Sequence, residues 1–97
     1  MNIIAYSTIK KFIRKHADSR AGLNTWYKVV SKAEWQNLAE VKSVYPHADL
    51  YGDCTVFNIG GNKYRLVVKI EYEIQVIFIK HIMTHATYDK DNWKKDC

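Results

Sequence analysis

The sequence predicts an α+β fold: a strand and two helices, then a three-strand antiparallel meander and a C-terminal helix, with the helices mainly on one sheet face. Three observations carry that reading. Apolar residues recur at helical spacing through the first half of the chain. From Cys54 the period changes to two, in runs dominated by β-branched and aromatic residues. Those runs follow one another with short connections, which suits antiparallel pairing with helices packed against one face.

Each element has its own signal. Asn2–Tyr6 is a short apolar run that suits a first strand. Ser7 can cap a helix in which Ile9, Phe12 and Ile13 share one face. His16-Ala17-Asp18-Ser19 breaks it, and Asp18 or Ser19 can cap a second helix. There Leu23, Trp26, Tyr27 and Val30 form a single apolar stripe suited to packing on a sheet. Glu34–Tyr45 can hold a further helical piece, which Pro46 ends, and His47–Asp53 reads as an exposed loop. Strands are expected over Thr55–Ile59, Lys63–Tyr72 and Ile74–Met83. Thr84 then caps a final helix over Thr84–Lys95.

Composition narrows the class. A chain of 97 residues is expected to form one domain, residues 1–97. With 47% hydrophobic and 26% charged residues it reads as globular rather than disordered. Its apolar runs fall far short of the ~20 residues of a membrane helix. The opening MNIIAYSTIKK lacks a cleavable signal layout, since its charge follows its apolar run, so a cytoplasmic protein with no membrane partner is expected. A net charge of +5 gives a modest attraction for polyanions. Cys54 and Cys97 form no C-x-x-C pair, so neither a zinc site nor a redox motif is visible. Two free thiols are expected, with a single disulfide as the alternative.

Short turns suggest a register. A two-residue Gly60-Gly61 turn would set Val56 opposite Arg65, and a Tyr72-Glu73 turn would set Arg65 opposite Lys80. By alternation, Phe57, Ile59, Tyr64, Leu66, Val68, Ile70, Ile77, Ile79 and His81 then form the floor for the helices. Asn58, Lys63, Arg65, Val67, Lys69, Val76, Phe78 and Lys80 fall on the other face. Like charges directly opposite are unfavourable by roughly 0.2–1 kcal/mol, a repulsion that an anion between them would relieve. Solvated surface charges are the competing explanation, and a one-residue slip would separate the pair.

His85, Tyr88 and Asp89 lie at i, i+3 and i+4, on one face of the last helix, whose N-terminus follows the strand bearing Lys80. Histidine titrates near neutrality and serves as general acid or base, and tyrosine can do so where nearby cations lower its pKa. Each residue also has a plain structural role available: solvent exposure for His85, packing for Tyr88, the helix dipole for Asp89. His81 is expected in the core, and His16 and His47 have no partners at metal spacing. Trp26, Trp35 and Trp93 are expected to pack rather than to stack on bases, and Lys10-Lys11 and Arg14-Lys15 to form a solvated helix face.

VFNIGGNKYRLV followed by IKHIMTHATYDK closely resembles the HigB toxins of bacterial type II toxin–antitoxin modules, within the RelE-like group. The two patterns, about twenty residues apart, are specific in combination. Trp35 and the Val44-Tyr45-Pro46 turn before Ala48-Asp49 extend the likeness to nearly the whole chain. The resemblance implies a RelE-like fold and an endoribonuclease that cleaves mRNA on the translating ribosome. It implies 2′,3′-cyclic phosphate and 5′-hydroxyl products, with no metal or other cofactor. A helix-turn-helix antitoxin of the HigA type is implied as partner, reaching operator DNA only through that antitoxin. By the same analogy Arg65, Lys80, His85 and Tyr88 would be catalytic, and Asn58, Lys63 and Lys69 would hold RNA. A non-catalytic RNA- or ribosome-binding module, or an inactive toxin fold kept as a corepressor partner, are the competing functions.

Overall fold

The computed structural model describes residues 1–97. β1 (Asn2–Ile4) leads into α1 (Tyr6–Lys15), a 3-10 turn (Ala17–Ser19), α2 (Arg20–Lys32) and α3 (Leu38–Val44). β2 (Asp49–Tyr51), β3 (Cys54–Ile59), β4 (Tyr64–Glu71) and β5 (Val76–Thr84) follow, then α4 (His85–Tyr88) and a closing 3-10 turn (Asn92–Asp96). The five strands form one sheet in the order β1-β5-β4-β3-β2, antiparallel except where β1 runs parallel to β5. The α+β class, the two amphipathic helices and the meander are as the sequence predicts. No helix is long and apolar enough to cross a membrane.

The apolar stripes explain the main layer. Ile9 and Ile13 of α1 and Leu23, Trp26 and Val30 of α2 are buried against Phe57, Ile59, Leu66, Val68, Ile77 and Ile79 of the sheet. Burying side chains of this size contributes about 1.5–3 kcal/mol each relative to exposure. α3 is short and depends on its cap: Asn37 Oδ1 accepts from the amide of Glu40 at 3.0 Å, and Glu40 Oε1 accepts from that of Gln36 at 3.2 Å. Pro46 lies just beyond its end, as expected.

Several expectations need correction. His47–Asp53 is not simply a loop, because Asp49–Tyr51 pairs with β3 as an edge strand through a Gly52-Asp53 turn. α1 begins at Tyr6 after Ala5 at φ 70, with no side-chain cap from Ser7. The final helix stops at Tyr88, because Asp91 turns into the left-handed region at φ 63 and sends the chain back over the sheet. Cys54 and Cys97 are joined rather than free. Their Cα atoms lie 5.4 Å apart, well within disulfide range, although 43 positions separate them in sequence.

Both predicted turns are two residues too tight. Ile59 pairs with Tyr64 across a Gly60–Lys63 turn whose two glycines sit at φ 62 and 68. Glu71 pairs with Val76 across Tyr72–Gln75. In that turn Gln75 takes φ 57, and its amide donates to the carbonyls of Trp35 (2.7 Å) and Tyr72 (2.8 Å). A shift of two keeps every side chain on its predicted face. A bulge then intervenes: Val68 faces Ile79 but Val67 faces His81, so Lys80 is the extra residue. Arg65 therefore lies between Asn58 and Met83, not opposite Lys80. The bulge also moves His81 off the helix-covered face and onto the second face, where its Nε2 meets Asp96 Oδ2 at 2.7 Å.

The second sheet face is not left open. Cys54, Val56, Val67, Met83 and Trp93 form a smaller core beneath the C-terminal segment, with Tyr88 and Cys97 at its edge.

Candidate functional site

Arg65 is the pivot of this second face. Only 7% of it is exposed, so its charge has to be satisfied from within the protein. The β3–β4 turn does this. Nη1 donates to the carbonyls of Asn62 (3.1 Å) and Tyr64 (3.2 Å), and Nη2 donates to Asn62 Oδ1 at 2.5 Å. These three bonds use part of the five-donor guanidinium and leave donors for a further oxygen acceptor. The guanidinium carbon also sits 5.3 Å from the centroid of Tyr88, a cation–π contact that fixes its plane.

Tyr88 is held in turn. Its ring stacks on Trp93 at 4.9 Å and 12°, and its carbonyl accepts from Trp93 Nε1 at 3.0 Å. Trp93 is 4% exposed, so packing is its role, as expected. The start of α4 is fixed by Thr84, whose Oγ1 accepts from the amide of Thr87 at 3.3 Å. It is fixed again where the amide of His85 donates to Lys63 O at 2.9 Å. His85 Nδ1 lies 3.0 Å from Asp89 Oδ2, a contact that orients the ring. Of the i, i+3, i+4 residues, His85 meets Asp89, which lies just past the helix end, and Tyr88 is in contact with Arg65.

The other predicted residues are arranged differently. Lys80 is exposed at the bulge, away from its expected partner. Lys63 pairs with Asp18 at 3.2 Å, and Lys69 with Glu71 at 3.2 Å. Tyr64 also donates to Asp18, at 2.5 Å, tying the turn to the helical layer. Asn58 lines an open cavity of about 600 Å³ with Tyr45, Pro46, His47, Ala48, Gly61 and Asn62. Asn62 carries no chemical signature of its own in the sequence, although its place in VFNIGGN beside a turn-forming Gly-Gly pair marks it. Asp18 signals only a helix cap in the sequence. No group of three or more His, Cys, Asp or Glu side chains gathers as a metal site would require.

Residues 19–91 match the HigB_toxin family, described as the RelE-like toxic component of a toxin-antitoxin system. The chain belongs to the HigB toxin family. It is similar to the mRNA interferase HigB of Escherichia coli O6:H1, with 28% identity over 93 residues, covering 93% of this chain and 90% of that protein. The mRNA interferase HigB of Shigella flexneri is also 28% identical, over 92% of this chain and 88% of its own length. The family match spans both arms of the site, the segment Asn62–Arg65 and the segment His85–Asp89.

Proposed function

We propose that this HigB-family chain is the toxin of a type II toxin–antitoxin module and an endoribonuclease that cleaves mRNA on the translating ribosome. The observation that carries the chemistry is the buried Arg65, braced by Asn62 and laid over Tyr88 beside the His85–Asp89 pair. The names of the relatives support the substrate.

In this reading one of His85 and Tyr88 removes the proton of the ribose 2′-hydroxyl, and that oxygen attacks the adjacent phosphorus. The other gives a proton to the departing 5′-oxygen. The P–O5′ bond breaks as the new P–O2′ bond forms, giving a 2′,3′-cyclic phosphate and a 5′-hydroxyl. Arg65 stabilises the charge that builds on the non-bridging oxygens, with its remaining donors already in place. Lys80, freed by the bulge, contacts the phosphodiester backbone beside the cut. Asn58, Lys63 and Lys69 line the path of the RNA. Lys63 and Lys69 would exchange their carboxylate partners for phosphate, at small cost because exposed ion pairs are weak. No cofactor enters this scheme. The partner is a helix-turn-helix antitoxin of the HigA type, through which the pair reaches operator DNA, and the setting is the cytoplasm.

The test is to map new RNA 5′ ends after a brief pulse of expression, on one reporter with and without a working start codon. Cuts confined to the translated copy are expected. Arg65→Ala should lower cleavage by about 10²–10³-fold, as loss of one oxyanion donor does elsewhere, while a thermal melt reports that it still folds. Undiminished cleavage by a folded Arg65→Ala protein would remove the phosphate site. An absence of new ends from the parent would leave only an RNA-binding module.

A further inference from the structure

The cavity beside Arg65 has a chemistry of its own. Its volume of about 600 Å³ is in the range of small-molecule sites. One wall is Tyr45, whose ring is braced edge-on by Phe57 at 5.3 Å and by Trp35 at 6.4 Å. The amides of Asn58 and Asn62 also line the cavity, as does the exposed His47. No lysine, arginine or carboxylate lines it, so it is not built for a phosphate or a free cation. Asn58 takes part in none of the side-chain hydrogen bonds within the chain, and so keeps two donors and one acceptor side by side for a ligand. At Gly61 a β-carbon would meet nothing within 4 Å, so the backbone edge there is open to close approach.

Flat π surfaces combined with neutral amides are the means by which unpaired nucleobases are read. Asn62 belongs to the cavity and to the Arg65 brace at once, so a phosphate at Arg65 has the cavity one side chain away. We infer that this cavity is a nucleobase subsite: it takes the base of a nucleotide next to the scissile phosphate, stacked against Tyr45 and His47 with its edge on Asn58. This rests on the ribonuclease reading for the identity of the neighbouring phosphate, but base binding can be measured without cleavage.

The probe is a short RNA made uncleavable by 2′-deoxy substitution, carrying 2-aminopurine at successive positions. One position should change fluorescence on binding to the parent protein. An abasic residue there should weaken binding about tenfold, in line with the loss of one stacked base. His47→Ala and Asn58→Ala should bind the intact probe about that much more weakly, and bind intact and abasic probes nearly alike. Equal discrimination between the two probes by parent and variants would overturn the inference. The cleavage map separates this from failure of the nuclease reading. If the parent cuts RNA and both variants keep its nucleotide preference beside the cut, the subsite falls and the nuclease stands. If the parent cuts nothing but base-dependent binding is lost in the variants, the nuclease falls and the subsite stands. His47 is exposed and Asn58 half-buried, so both variants should fold, and a melt checks this.

Discussion

Asp18 accepts from Tyr64 at 2.5 Å and from Lys63 at 3.2 Å, and so holds the turn that braces Arg65 against the helical layer. The Tyr64 hydroxyl, then Lys63, keep its carboxyl below the usual carboxylate range, while Asp18 pushes the Tyr64 phenol up. A carboxylate with a depressed pKa adds stability that is present above its unfolded value and lost as pH falls through the folded one. The phenol, raised, adds stability that is present below about pH 10 and lost as pH rises further. Asp18→Asn should therefore lower the melting temperature at pH 7, modestly because Asp18 and Lys63 are exposed, and the gap from the parent should close below about pH 4. A gap of equal size at pH 7 and pH 3 would show that the carboxylate charge is not what holds the turn. Single residues differ in how legible they are in the sequence. Arg65, His85 and Tyr88 stood out because their side chains carry recognisable chemistry at a fixed spacing. Asp18 and Asn62 did not, because each acts through a partner: Tyr64 is 46 positions away, and the brace on Arg65 depends on a turn shape that composition leaves open.

At the scale of elements, periodicity identified what is long and one-sided and missed what is short or irregular. α1, α2 and the three long strands declared themselves through a buried stripe or a period of two. β2 did not, because all three of its residues are exposed and no alternation marks them. Its only signal was Gly52-Asp53, a hairpin dipeptide between two strand-compatible residues. The bulge at Lys80 leaves no pattern in a run of mostly apolar residues, yet it decides which face His81 and Met83 occupy. The last helix fails for a related reason: Trp93 is more stable folded back onto Val56, Val67 and Met83 than carried onward by a helix. If that small core holds the C-terminal segment, Trp93→Ala should cost about 3 kcal/mol, the lower end for large aromatics. Trp93→Phe should keep the stacking and lose the bond to Tyr88 O, at about 1 kcal/mol. Urea unfolding measures both, and a loss well under 1 kcal/mol for Trp93→Ala would mean that the segment does not depend on that core.

For the whole molecule, the consequential feature is one that sequence could not resolve. Two cysteines 43 positions apart carry no spacing signature, and only the return of the chain over the second sheet face brings them together. The bond sits where it secures the site's supports. Cys54 is wholly buried in β3, and Cys97 closes the 3-10 turn that carries Trp93 to Tyr88. By chain-entropy reasoning, a cross-link closing a loop of this length stabilises by about 4 kcal/mol, a large share of the roughly 5–15 kcal/mol of a typical domain. Cys97→Ser, or a reductant on the parent, should therefore lower the urea midpoint strongly, and the reductant should leave the variant unchanged. Two titratable thiols in the native, unreduced parent would show that the bond does not form, and with it the expected difference would vanish. The cytoplasm holds such pairs reduced, so a toxin working there would carry the weaker form, with Trp93 and the His81–Asp96 contact left to keep its last turn over the sheet. A partner that binds only the folded chain adds stability by mass action. The reduced protein should therefore resist proteolysis far better when bound to its antitoxin than alone, and the oxidised protein should show a smaller difference. Limited proteolysis of all four states, read at the C-terminal segment, checks this. Equal protection of the reduced and oxidised free chains would mean that the cross-link is not what anchors the support of Tyr88.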